Sequence, residues 1–190
     1  MQMKFEGKIV RNKLSRRLKE IEKEKNIKFS NTQKVLLTVE GSITAILDVL
    51  YGTVSIFTLG RHYEKADKDT SELVNIDEGE EIYYREVIIH RRGQPLIYAL
   101  SLMVLDRIEN EAHQDIIDGE IPLGTILKKH KVESRREIKH IYIEKPNATL
   151  KELFNTSEDF ISRDYIVIEN DQIIIWTKES FPISYFSDKM

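Results

Sequence analysis

Counting in twos from Tyr83 to His90 puts Tyr83, Arg85, Val87 and Ile89 on one face of a strand, with Tyr84, Glu86, Ile88 and His90 on the other. An arginine then stands among apolar neighbours. Burying a guanidinium without an anion is costly, so Arg85 requires a carboxylate supplied by the protein or by a ligand. The same count near the C-terminus groups Ile173, Ile175, Thr177, Glu179 and Phe181, with Ile174, Trp176, Lys178 and Ser180 opposite, so a glutamate also stands among apolar side chains. Two readings are open. In one, Arg85 pairs with Glu86, Glu179 or another carboxylate and is an internal ion pair. In the other, Arg85 holds an acidic substrate and Glu179 is a carboxyl tuned by its surroundings.

Other chemistries find no support in the residue pattern. The chain has no cysteine, which removes thiol nucleophiles, thiolate metal sites and disulfides. Its five histidines, at 62, 90, 113, 130 and 140, form no metal-ligand spacing. Neither GxGxxG nor GxxxxGK[ST] occurs, and no GxSxG elbow presents a nucleophilic serine. The pattern thus supports neither a metal site nor nucleotide binding by the usual loops.

The elements that must position these residues follow from periodicity. Asn12 to Lys25 reads as a helix with Leu14, Leu18 and Ile21 as its apolar stripe; a solvated helix on the domain edge and a nucleic-acid or membrane contact both fit it. Helical spacing continues from Asn31 to Tyr51, interrupted at Gly41-Ser42, where Ser42 can cap a new helix starting at Ile43. A strand over residues 53–63 runs into a polar loop, Glu64 to Ser71. The segments 82–90 and 96–105 flank a Gly-containing turn and predict a hairpin, although the Leu-rich second arm also reads as helix. Asp106 to Ile117 is polar and ambiguous, and Ile121 to Gly124 is a turn opening a short helix, Thr125 to His130. A strand at Ile138 to Glu144, a helix at Leu150 to Phe154 and a hairpin joining 165–169 to 173–181 complete the chain. These elements predict one α+β domain, an antiparallel sheet with helices packed to one side.

The bulk properties agree with that picture. The chain has 190 residues, 41% apolar and 32% charged, which suits a globular domain rather than a disordered one. Its net charge of −3 conceals an asymmetry: residues 1–34 carry eleven Lys or Arg against four Glu, which leaves the rest acidic. We therefore divide the chain into a basic N-terminal helical extension, 1–34, and a domain, 35–190. An acidic body is a poor nucleic-acid binder. No secretory signal and no run of eighteen apolar residues is present, so the expected setting is the cytoplasm, with no membrane span.

The order of four fragments is informative. Glu40-Gly41-Ser42-Ile43-Thr44, then Tyr84-Arg85-Glu86-Val87-Ile88 with Gly93-Gln94-Pro95-Leu96, then Pro122-Leu123-Gly124-Thr125-Ile126-Leu127, then Thr177-Lys178-Glu179-Ser180-Phe181-Pro182 resemble the chorismate pyruvate-lyase family over about residues 35 to 185. The resemblance implies a six-stranded antiparallel sheet carrying helices and a small internal pocket closed by flaps. It implies cofactor-independent removal of enolpyruvate from chorismate, giving pyruvate and 4-hydroxybenzoate, a precursor in ubiquinone-type biosynthesis. Carried over by position, Arg85 resembles the ring-carboxylate clamp, Leu123 the turn residue whose backbone assists it, and Glu179 the carboxyl at the far end of the ring. Ile43 takes the place of a Met common in bacterial members, a change that keeps an apolar ring contact. A closed aromatic pocket further implies slow product release and product inhibition.

The alternative implied by the same resemblance is a sensor. Effector domains of a family of bacterial transcription regulators share the lyase-like fold, and an Arg in a corresponding strand can bind an aromatic carboxylate without reaction. About 35 residues precede the matching region, fewer than a winged-helix module requires. The expected partner is in either case a small aromatic carboxylate.

Overall fold

Left-handed backbone at Arg92-Gly93 (φ 50° and 81°) and at Asn170-Asp171 (φ 48° and 61°) closes two tight hairpins, the turn geometry that matches the twist of paired strands. The structure, a computed structural model, describes residues 13–119 and 121–187. Its elements run α1 (Lys13–Lys25), α2 (Asn31–Thr38), α3 (Ile43–Tyr51), β1 (Ser55–Lys65), α4 (Lys68–Val74), β2 (Glu81–Arg91) and β3 (Gln94–Met103). They continue with α5 (Asn110–Asp118), α6 (Leu123–Lys129), β4 (Arg135–Glu144), α7 (Ala148–Phe154), β5 (Phe160–Glu169) and β6 (Gln172–Pro182). The six strands form one antiparallel sheet in the order β1-β2-β3-β6-β5-β4, and with seven α-helices they make a single α+β domain.

Register decides which side chains meet. Arg85 lies opposite Ser101, Ser101 opposite Thr177, and Thr177 opposite Tyr165, a row crossing four strands on one face. Two residues further along β6, Glu179 lies opposite both Ala99 and Arg163, on the same face. Sheet spacings place the Cα atoms of Arg85 and Glu179 about 12 Å apart, two strands over and one pleat along.

This face carries most of the helical layer. Leu18 and Ile21 of α1, Leu36 and Leu37 of α2 and Leu47 of α3 pack on Ile89, Ile97, Ile141, Ile161 and Phe181. Helices α5 and α6 bring Ala112, Ile116, Ile126 and Leu127 onto Tyr83, Met103, Tyr165 and Val167. Between these two apolar clusters lies the polar row. The opposite face is covered as well, by Val74 at the end of α4 and by Leu150 and Phe154 of α7, so the helices do not all lie on one side as the pattern suggested. Burying one such side chain is worth roughly 1.5–3 kcal/mol, and both faces of a central strand gain from it.

Several elements differ from the sequence reading. The polar loop expected at Glu64 to Ser71 contains the start of α4, where the Asp67 carboxylate accepts from the Thr70 backbone N–H at 2.8 Å and caps the helix. Asp106 to Ile117, left ambiguous, is a short turn of 3₁₀ helix followed by α5. The Leu-rich arm at 96–105 is strand β3, its alternate residues shared between the two cores. The basic helix packs against the edge strand β4, but its apolar stripe is turned inward rather than solvated: Leu18 and Ile21 of α1 are buried, and the Arg17 Nε donates to the Ile141 carbonyl at 3.1 Å. Residues 1–12 of the basic extension, with Asn12 at the expected start of that helix, lie outside the described residues. Among the described residues no helix is long and apolar enough to cross a membrane.

Candidate active site

Arg85 rises from β2 with 4% of its surface exposed. Its Nη2 donates to the carbonyls of Gly119 and Ile121, at 2.9 and 3.0 Å, in the segment that follows α5. The Nε is buried without a hydrogen-bond partner. Burial pulls the guanidinium below its ordinary value, the Tyr83 phenol opposes that shift, and the Arg61 charge adds to it. The choice left open by the sequence falls one way among the described residues: no carboxylate pairs with Arg85. Glu86 points to the other face, where it accepts from the Tyr98 hydroxyl, and Glu179 is paired elsewhere. A buried cation with unfilled donors is what an anionic ligand would complete.

Gly119 makes this seat possible. It adopts φ 68° at the end of α5, and a Cβ there would lie 3.2 Å from Arg61 Nη1 and 3.6 Å from Arg85 Nε. The C-terminal carbonyls of α5 thus face two guanidinium groups, the favourable end of a helix for positive charge.

Glu179 sits in surroundings the sequence did not foresee. Arg163 Nε donates to its Oε2 at 2.7 Å, and the Tyr165 hydroxyl donates to its Oε1 at 3.2 Å. Arg163, itself 2% exposed, also donates from Nη1 to the Val39 carbonyl at 2.8 Å, so it is locked from two sides. Burial drives the Tyr165 phenol well above its ordinary value, and the Glu179 charge pushes it further, which keeps that proton in place to be donated. The carboxyl is therefore held by a buried ion pair and not by an apolar shell. The missed signal was the alternation Ile161, Arg163, Tyr165, Val167, which shows a second arginine in an apolar stripe.

The four residues singled out from sequence meet at one cavity. Ile43, Arg85, Leu123 and Glu179 all line it, together with Ser101, Thr177 and Tyr165 from the polar row. Ser42 caps α3 as expected, its Oγ accepting from the Ala45 N–H at 3.3 Å, and this sets Ile43 at the cavity mouth of the helix. Leu123 is the first residue of α6, directly after Pro122, so the helix begins earlier than the predicted Thr125. Ser101 and Thr177 share a hydrogen bond at 2.9 Å. The cavity is small, ≈ 60 Å³, on the scale of a small molecule rather than of a polymer groove.

A further residue was missed altogether. Arg136 of β4 lines the same cavity, with its guanidinium 5.6 Å from the centre of the Tyr165 ring. Strand β4 begins three residues before the apolar alternation becomes legible at Ile138, which hid it. Among the described residues no group of three or more His, Asp or Glu side chains is gathered as a metal site.

The arrangement is that of an α+β domain with a small basic cavity between an antiparallel sheet and its helices. Residues 37–187 match the family model described as "Chorismate pyruvate-lyase Rv2949c-like", and the chain belongs to that family. A Methanocaldococcus jannaschii protein named "Putative lyase MJ0807" is 32% identical over 173 residues, covering 87% of this chain and 86% of that protein. A Halorhodospira halophila protein named "Probable chorismate pyruvate-lyase" is 35% identical over 92 residues, 48% of each. In structure the chain is similar to a GntR-family transcriptional regulator from Bacillus cereus, with a TM-score of 0.59 and 13% identity over 72% of this chain and 96% of that one. That likeness concerns the fold.

Proposed function

We propose that the cavity binds chorismate and eliminates enolpyruvate from it, giving 4-hydroxybenzoate and pyruvate. The observation that carries the reading is Arg85, a buried guanidinium with an unfilled Nε donor that lines the same small cavity as Glu179. The ring carboxylate docks on Arg85, whose fixed fork suits a planar anion better than an ammonium would. Leu123 and Ile43 close on the ring from α6 and α3.

Chorismate needs little activation. Loss of the C4 hydrogen as a proton and rupture of the bond between C3 and the ether oxygen leave an aromatic ring, so orientation supplies much of the rate. Glu179, fixed by Arg163 and Tyr165, is the group placed to take the C4 proton. The ether oxygen departs with the bonding pair as enolpyruvate, which is protonated at carbon to become pyruvate. Atoms balance without any added reagent.

The test is to mix metal-free protein with chorismate, follow the ultraviolet spectrum and separate the products. Equal amounts of 4-hydroxybenzoate and pyruvate, formed above the spontaneous rate, are expected. No turnover, with a thermal shift on adding 4-hydroxybenzoate, would replace the lyase by a binder of aromatic carboxylates, the role that the likeness to a regulator's fold makes the competing one.

A further inference from the structure

The charges on the cavity wall do not balance. Three ionisable groups other than the tyrosine line it: Arg85, Arg136 and Glu179. Glu179 is answered by Arg163 at 2.7 Å, which leaves both cavity arginines without a counter-charge among the described residues. Arg136 is conspicuous on its own strand. Its neighbours Arg135 and Lys139 pair with Glu137, Arg135 also with Asp171, and His140 with Asp164, while Arg136 turns inward over the Tyr165 ring and has no ion pair among the described residues.

The chain makes a specific place for it. A Cβ on Gly124 would lie 2.9 Å from Arg136 Nη2, closer than side-chain carbons pack, so the guanidinium occupies the space that any other residue at 124 would fill. Gly124 stands one residue after Leu123, and Arg85 binds the carbonyl of Ile121 just before Pro122. The two arginines therefore flank one turn, Arg85 at its start and Arg136 at its end. Arg136 stacks over Tyr165, whose hydroxyl reaches Glu179, and so belongs to the Glu179 end of the cavity.

We propose that Arg136 is a second anion clamp that makes the cavity selective for dicarboxylates, Arg85 taking a ring carboxylate and Arg136 a carboxylate carried on a side chain of the same ring. The inference rests on Arg85 being the ring-carboxylate anchor of the proposed lyase, and it assigns the enolpyruvyl carboxylate of the substrate to Arg136. Two uncompensated positive charges facing one small cavity repel each other when it is empty, and a ligand with two negative charges neutralises both. A monocarboxylate satisfies one alone. The arrangement thus favours a ligand with two carboxylates over one of the same shape that carries a single carboxylate.

The test compares two unreactive ligands that differ in the second carboxylate alone. One is the aromatic ether in which the enolpyruvyl group is joined to the meta position of benzoate, and the other is the same ether with the side-chain carboxylate replaced by hydrogen, meta-vinyloxybenzoate. Calorimetry on the full chain is expected to show tighter binding of the dicarboxylate. Arg136→Gln should weaken that ligand roughly ten- to hundred-fold, the loss of a charge-assisted hydrogen bond, and leave the monocarboxylate unchanged. Arg136→Lys, which keeps the charge without the fork, should recover part of the difference. Gly124→Ala, which displaces the guanidinium while leaving its charge, should reproduce the selective loss. Equal weakening of both ligands by Arg136→Gln, no effect on either, or no preference in the unaltered protein would overturn the inference. The lyase reading stands or falls separately: selective dicarboxylate binding without conversion of chorismate upholds the role of Arg136 and removes the reaction.

Discussion

Arg85 is buried with its charge uncompensated, and its substitution should separate ligand binding from folding. Its own hydrogen bonds go to the Gly119 and Ile121 carbonyls, so losing the side chain costs two such bonds while relieving the burial of an unpaired cation. Stability should change little. Affinity for 4-hydroxybenzoate should fall by roughly ten- to hundred-fold in Arg85→Met, and Arg85→Lys should not restore it, because one ammonium cannot hold two carbonyls and a carboxylate in the same geometry. Calorimetry decides, and an unchanged affinity would remove Arg85 from the site. Glu179 behaves in the opposite way. Glu179→Gln keeps an acceptor for Arg163 and should bind 4-hydroxybenzoate but lose turnover; persistent turnover would reduce Glu179 to a hydrogen-bonding partner. Glu179→Ala strands Arg163 in the core and should cost about 3–5 kcal/mol in denaturant unfolding.

At the scale of elements, α1 binds the domain together. Leu18 and Ile21 are 4% and 2% exposed and share a cluster with α2, α3, the four central strands and the edge strand β4. Ile21→Ala should cost roughly 2–5 kcal/mol, and removal of residues 1–27 should yield insoluble protein; an active, soluble truncated chain would show α1 to be dispensable. The sequence showed the α1 stripe but not its destination, because three apolar residues among charges fit a buried seam and a solvated helix equally well. The strands tell the same story. Period-two counting worked for β2 and β6, where long alternations placed Arg85 and Glu179 on their faces without any knowledge of neighbours. It was not carried back to the start of β5, where the alternation Ile161, Arg163, Tyr165, Val167 stands in the sequence, and it failed at β4, whose first residues are strand because of pairing across the sheet, Arg136 with Val167, and so half of the site's charges went unread. Short α4 was hidden for a related reason: a seven-residue helix is held by its Asp67 cap and the burial of Val74 more than by its own propensity.

The whole molecule has tyrosines embedded in both faces of its sheet, and this fixes how it should respond to alkali. Tyr98 and Tyr165 are each 7% exposed, and burial raises both phenols far above the ordinary 10.0, helped in Tyr98 by donation to Glu86 and in Tyr165 by the charge of Glu179. On the face of Tyr98, burial likewise raises Tyr142, and it pushes Tyr84 up to about 12 with help from Glu86. For a group whose folded value is raised, the native state keeps the proton that the unfolded chain gives up. Its contribution is fully present below pH 10 and is lost as the pH climbs from there through the folded value. Tyr98 and Tyr165 can each add a slope of up to about 1.4 kcal/mol per pH unit in that range. The sheet should therefore hold its stability to about pH 10 and then open cooperatively, with tyrosinate absorbance from these residues appearing together with the loss of native circular dichroism. Gradual ionisation of all the tyrosines around pH 10 with the fold intact would contradict it. Because Tyr165 donates to Glu179, the same proton that resists removal also holds the site's carboxylate, so ligand binding should persist up to the unfolding transition and vanish within it.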